Sequence, residues 1–194
     1  MDVFKARREA LRTQMKKARE ALLFEEVEAA GAQLMQQVLS LPELKGQLAI
    51  ASYVSCGCEL PTIALNTELK RRGHNLLLPV CSLGVKGKMD FYGFPAGACF
   101  LRNQYGILEP PADPRFYCSP EKIEIMLLPL TAFDLRGNRL GMGGGYYDRM
   151  LKQVSPRCRL IGLAYDFQQA EEIPAENWDM PLQEIITPTR HLRF

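Results

Sequence analysis

Apolar residues recur over the first forty positions at helical spacing. Leu11, Met15, Ala18 and Leu22 fall three or four apart with basic residues between them, which predicts an amphipathic helix over residues 3–23. Val27, Ala30, Leu34 and Val38 carry the period into a second helix, ended by Leu41-Pro42. The pattern then changes. Leu48 to Val54 is a short apolar run that reads as a buried strand, Pro61 is expected to open a helix at its favoured first-turn position, and Gly73 to end it. With Leu76-Leu77-Leu78-Pro79-Val80 as the next strand, these elements make one βαβ unit.

Residues 84–120 are rich in glycine, proline and aromatics and carry one candidate strand, Met89–Phe94. Ile123–Leu130 reads as another buried strand, Tyr146–Val154 as a helix and Leu160–Tyr165 as a further strand. Strands alternating with helices predict an α/β three-layer sandwich, a mainly parallel sheet flanked by helices, in a single domain over residues 1–194. In such sheets ligands collect beyond the carboxyl ends of strands, which picks out the segments after Val54, Leu130 and Tyr165.

Composition narrows the class further. A hydrophobic fraction of 47% and a charged fraction of 24% exclude disorder, collagen and coiled coil for the whole chain. No apolar run is long enough for a membrane helix, and a charged N-terminus without a secretory signal points to the cytoplasm. In that compartment the six cysteines are expected as thiols, with Cys56-Gly57-Cys58 in C-x-C rather than C-x-x-C spacing. Two histidines, His74 and His191, argue against a zinc site and against a histidine base. The net charge of +2 is uneven: residues 1–20 hold seven basic and three acidic side chains (+4), which leaves −2 for the rest. Charge alone leaves open whether this cationic first helix meets an anionic partner or is a solvated face.

The clearest chemistry lies at Gly141-Met142-Gly143-Gly144-Gly145-Tyr146-Tyr147-Asp148, after a strand and at the mouth of a helix. Adjacent glycines remove the β-carbons that keep a ligand from the backbone, so the amides can point together at a phosphate. The loop lacks the G-K-[S/T] end of Walker A, and Tyr146 stands where a Rossmann fingerprint needs glycine. It therefore reads as an anion loop outside those patterns, against the alternative of a plain glycine turn. Asp148 suits either a favourable place in a first helical turn or a magnesium ion shared with phosphate oxygens. Asp179, expected after the last strand, could reach the same metal, and Arg136, Arg139 and Arg149 could neutralise phosphate charge, at least one of them being structural.

The run Leu128-Pro129-Leu130-Thr131-Ala132-Phe133-Asp134-Leu135-Arg136-Gly137-Asn138-Arg139-Leu140-Gly141-Met142-Gly143-Gly144-Gly145-Tyr146-Tyr147-Asp148-Arg149 resembles the signature of the 5-formyltetrahydrofolate cyclo-ligase family, also called 5,10-methenyltetrahydrofolate synthetases. The resemblance extends to Arg8-x-x-Leu11-Arg12, Glu59-x-x-Thr62, Gly106-Ile107-Leu108-Glu109-Pro110, Trp178-Asp179 and Ile186-Thr187-Pro188, in that order along the chain. It implies an ATP- and magnesium-dependent ring closure through a phosphorylated formyl group. By the same resemblance Arg8, Arg12 and the run Arg139–Tyr147 contact ATP, and Val54, Glu59 and Met142–Tyr146 contact the folate. Asp148 and Asp179 hold magnesium, and Arg139 and Tyr146 are placed in catalysis. The partners implied are small molecules, with no nucleic acid, membrane or obligate protein partner.

Two departures stand out. Gly144 occupies a position where many members have lysine, so one phosphate-facing cation is absent, and Arg8 stands where many have lysine, which keeps charge but not geometry. Which cation meets the γ-phosphate is not fixed by the motif. Two rival readings are a sugar-phosphate isomerase or CoA-transferase on a related architecture, which needs neither ATP nor magnesium, and a nucleic-acid-binding module using the basic helix. The second is disfavoured by the net acidity outside residues 1–20.

Overall fold

A computed structural model describes residues 3–176 and 179–194. The helical periods appear as α1 (Val3–Glu20) and α2 (Phe24–Leu39). The strands follow as β1 (Ala49–Ala51), β2 (Asn75–Cys81), β3 (Met89–Tyr92), β4 (Leu101–Arg102), β5 (Leu108–Glu109) and β6 (Tyr117–Cys118). Then come β7 (Ile125–Pro129), β8 (Ala132–Phe133), β9 (Arg139–Leu140), β10 (Arg159–Leu163), β11 (Glu184–Ile186) and β12 (His191–Arg193). Helix α3 (Ile63–Arg71) joins β1 to β2, and the short α4 (Tyr146–Leu151) precedes β10.

Among the described residues eight strands form one sheet in the order β12-β11-β10-β7-β1-β2-β3-β6. Strands β11, β10, β7, β1 and β2 are parallel, while β12, β3 and β6 add antiparallel edges. The chain starts in the middle at β1, runs one way to β2, then returns to β7 and builds outward. The order therefore reverses between β1 and β7, and their carboxyl ends diverge into a crevice.

Alternation along the central strands covers both faces, the three-layer arrangement expected from the sequence. Ile125 and Leu127 face α2 and α3 together with Ile50, Leu76 and Ile161. Met126 and Leu128 face the other way, against Met150 and Leu151 of α4 with Leu77, Leu160 and Ile185. Leu127 and Leu128 are 1% and 0% exposed, so truncating either to alanine falls in the range of about 2–5 kcal/mol. A small third core, Met15 with Ala132, Leu140 and Ile173, fastens α1 across the β8–β9 hairpin at the carboxyl end of the sheet.

Three expectations need correction. The first strand stops at Ala51, because Ser52 and Tyr53 turn their polar groups to α3: Ser52 Oγ bonds Asn66 Oδ1, and Asn66 Nδ2 donates to the Tyr53 carbonyl. Pro61 does not open α3. The N-cap is Thr62, and Pro61 packs against α2, where a β-carbon on Gly31 would lie 3.2 Å from it. Asp179 does not follow the last strand, since β11 and β12 come after it. Among the described residues no helix is long and apolar enough to cross a membrane.

Candidate active site

The loop leaving β1 is fixed by side chains rather than by secondary structure. Thr62 Oγ1 donates to the Tyr53 carbonyl at 2.7 Å and accepts from the Ser55 amide at 3.1 Å, tying the loop to the start of α3. At its tip the Cys56 amide donates to Glu59 Oε2 at 2.9 Å. Burial raises the Glu59 carboxyl above the ordinary range, opposed by that amide and by the nearby guanidinium of Arg19. Buried Tyr53 and half-buried Tyr147 lie near the same carboxylate, and both phenols are raised, chiefly by loss of solvent. A largely apolar groove of about 450 Å³ starts at Val54 and continues over Ile63, Phe94 and Phe100; it includes none of the glycine loop.

Beyond β7 the chain makes the β8–β9 hairpin. Asp134 holds its turn: Oδ1 accepts from the Arg136 and Asn138 amides, and Oδ2 from Asn138 Nδ2 and the Ile173 amide. Burial works to raise this carboxyl, and the four donors carry it below the ordinary range. The acid of the signature at Asp134 is thus structural.

Strand β9 delivers the glycine loop. Gly143 and Gly145 have φ of +92° and +68°, left-handed conformations that side-chain-bearing residues rarely adopt. Arg12 Nε donates to the Gly141 carbonyl at 2.9 Å, so α1 seats directly on the loop. Arg149 holds it from the other side, Nη2 to the Gly144 carbonyl and Nε to the Gly87 carbonyl, each at 2.8 Å. A β-carbon on Gly144 would stand 3.0 Å from the Tyr146 ring, so the space a longer residue would need is filled by that aromatic. Tyr146 Oη in turn meets Tyr105 Oη at 2.8 Å, which brings the tip of the β4–β5 hairpin over the loop.

Both acids assigned to magnesium face arginines. Asp148 Oδ1 accepts from Arg139 Nη2 at 2.5 Å, and Arg139 is buried with its Nε unpartnered. Asp179 Oδ2 accepts from Arg8 Nη1 at 2.8 Å, an ion pair that joins α1 to the C-terminal segment. The N-cap of the six-residue α4 is Gly145, which has no side chain to cap it, and Asp148 stands in the first turn. Arg136 stays on the surface near Glu172. Trp178 lies outside the described residues.

Arg12 therefore meets the glycine loop, Arg8 one turn away pairs with Asp179, Glu59 lies within reach of the Arg19 charge, and Val54 stands at the head of the apolar groove. Sequence reasoning missed Arg19, Thr131, Tyr105 and Tyr165. Thr131 Oγ1 donates to Met142 Sδ at 3.2 Å, and Arg19 Nη2 approaches the same sulfur at 3.9 Å. The signal for Arg19 was available, because it lies seven residues, about two turns, beyond Arg12 and so shares its face of the helix.

An open, mainly parallel sheet with a glycine loop, a basic helix and a half-buried carboxylate at its switch point is the architecture of an α/β enzyme. Comparison with known proteins makes the assignment specific. A model of the 5-formyltetrahydrofolate cyclo-ligase family matches residues 4–188. The chain is 36% identical over 181 residues to the 5-formyltetrahydrofolate cyclo-ligase of Haemophilus influenzae, covering 93% of this chain and 97% of that protein. It is 32% identical over 177 residues to that of Escherichia coli K12, covering 91% and 97%. The structure of Aquifex aeolicus 5,10-methenyltetrahydrofolate synthetase superposes with a TM-score of 0.83 at 31% identity, over 96% of this chain and 92% of the other. The chain belongs to the 5-formyltetrahydrofolate cyclo-ligase family.

Proposed function

We propose that this protein closes 5-formyltetrahydrofolate to 5,10-methenyltetrahydrofolate, consuming ATP with magnesium as one cytoplasmic catalytic domain. The observation that carries the reading is the meeting, at the switch point between β1 and β7, of a glycine loop braced by Arg12 with the half-hidden carboxylate of Glu59. The loop and the basic face of α1 supply donors for a triphosphate. Glu59 supplies an acceptor for the N–H edge of a pterin, and the groove beyond Val54 takes the aryl part of the folate.

In this reading the formyl oxygen attacks the γ-phosphorus. An O–P bond forms, and the bridging P–O bond breaks with its electron pair leaving on ADP. Nitrogen 10 then attacks the formyl carbon and loses its proton, and the C–O bond breaks with its pair leaving on phosphate, which yields the methenyl bridge. The residues position the two partners and neutralise charge, as in other phosphoryl transfers. Arg139 holds Asp148 in place and keeps one unpartnered N–H, and Tyr146 walls the loop.

Carboxylates of this kind suit magnesium, which takes one or two of them together with phosphate oxygens and water. Asp148 is 35% exposed and commits only one oxygen to Arg139, which leaves room for a hydrated cation. Asp179, 11% exposed and paired with Arg8, would join once that arginine turns to the nucleotide. Magnesium bound there would neutralise part of the phosphate charge.

The test is spectroscopic. Protein mixed with 5-formyltetrahydrofolate and MgATP is expected to develop the near-ultraviolet methenyl chromophore with equal release of ADP, and not to do so without MgATP. Absence of both signals overturns the reading. An isomerase or CoA-transferase would consume no ATP in the same cuvette.

A further inference from the structure

Arg19 ends the basic face of α1, and the fold gives it little in return. It is 6% exposed, its Nε is buried without a hydrogen-bond partner among the described residues, and its Nη2 reaches only the soft sulfur of Met142. Tyr165 Oη, close enough for the guanidinium to act on it, is also buried and unpartnered. Taking a guanidinium out of water is costly, and leaving its N–H unmet adds to the cost. An unbranched apolar side chain would fill the same space without either penalty. What keeps an arginine there is therefore to be sought in a ligand rather than in packing.

Its position says which ligand. On one side is Met142 of the glycine loop; on the other is Glu59, on which Arg19 acts as the opposing positive charge. A group touching Arg19 thus lies between the nucleotide loop and the folate pocket. In the reaction proposed above, on which this inference rests, only the phosphoryl group belongs to both substrates. Gly144 brings no cation to the loop, Arg12 and Arg149 are engaged with the loop's own carbonyls, Arg139 is paired with Asp148, and Arg8 lies farther along α1 beside Asp179. We infer that Arg19 is the cation that meets the phosphoryl group as it passes from ATP to the formyl oxygen and stays with it until it leaves as phosphate. Arg19 donates hydrogen bonds to the phosphoryl oxygens throughout and exchanges no proton.

Arg19→Met and Arg19→Lys test this. Arg19→Met is expected to move the melting temperature little, since losing the buried unmet donor offsets losing the positive charge that faces Glu59. Its kcat should fall about a hundredfold or more, while KM for ATP and for the folate changes by less than about threefold, the pattern of a contact made mainly in the transition state. Affinity for inorganic phosphate in the presence of MgADP should fall at least about tenfold, with ADP affinity retained. Arg19→Lys should restore part of kcat. Full kcat in Arg19→Met overturns the inference. So does a rise in folate KM at constant kcat, which would make Arg19 a support for Glu59 alone. If Arg19→Met does not fold, Arg19→Lys decides: loss of stability with unaltered phosphate affinity and kcat assigns Arg19 to the fold and overturns the proposal. A wild-type protein that forms no methenyl product sinks the reaction instead, and phosphate binding with MgADP still reports on Arg19.

Discussion

Glu59 carries a carboxylate in a place that disfavours its charge. Burial raises its proton affinity, and one backbone amide and one arginine only partly offset that. A carboxylate whose folded value lies above its unfolded value binds more protons in the native state over that interval. Stability is therefore lost as pH rises from the unfolded value of 4.5 through the raised one. Glu59→Gln is expected to be more stable than wild type at pH 7 and equal to it at the acid end, below that window. The same substitution should weaken folate binding and spare ATP, because a pterin edge of N–H donors would prefer a carboxylate, whereas the proposed triphosphate contacts come from the glycine loop and α1. Calorimetric titration of each ligand and thermal melts across pH check both parts; equal loss of both affinities would assign Glu59 to the fold. Asp134, Asp166 and Glu184 behave in the opposite sense. Burial raises each, but their hydrogen bonds and arginine partners win, so what they contribute is present above the unfolded range and lost on acidification.

At the scale of elements, helices and long strands were legible in the sequence and short ones were not. The 3.6-residue period gave α1 and α2 because each buries one stripe, and Ile123–Leu130 marked β7 because a central parallel strand is buried on both faces. The strands β4, β5, β6, β8 and β9 have two residues each, too few for any period, and exist because a neighbour pairs with them. Helix α1 shows the limit most clearly. Its apolar stripe was readable and the family resemblance marked Arg8 and Arg12, yet by charge alone these and Arg19 among lysines look like any solvated face. What α1 does for the nucleotide is open to a single substitution. Arg12→Ala removes the bond to the Gly141 carbonyl and a charge 3.4 Å from where a Gly143 β-carbon would lie. A charge-assisted contact is worth roughly 1.5–3 kcal/mol, so KM for ATP should rise about ten- to a hundredfold. The melting temperature should move little, since Met15 still anchors the helix. An unchanged KM would return α1 to a purely structural element.

At the scale of the molecule, the site is where the two ends of the chain meet. Arg8 pairs with Asp179, Met15 packs on Ile173, and the glycine loop is held between Arg12 of α1 and Arg149 of α4. A ligand that holds the loop, α1 and the C-terminal segment together should therefore stabilise the whole protein and not one element. At a hundred times its dissociation constant, MgATP should add about 2.7 kcal/mol. For a chain of this length that is a rise of about 5–10 °C in melting temperature. Asp148→Asn separates the metal's share from the rest. Asparagine can still accept from Arg139 but is a poor ligand for a hard cation. With Asp148 35% exposed but Arg139 only 4%, and with the asparagine oxygen still accepting, the lost ion pair should cost the free protein about 1–3 kcal/mol. In the variant the MgATP shift should shrink to that given by ATP with chelator, and kcat/KM should fall on the order of a hundredfold. Raising magnesium should recover part of both, because a weakened site refills by mass action. A full thermal shift and full activity at low magnesium would remove Asp148 from the metal and leave it as the anchor that orients Arg139.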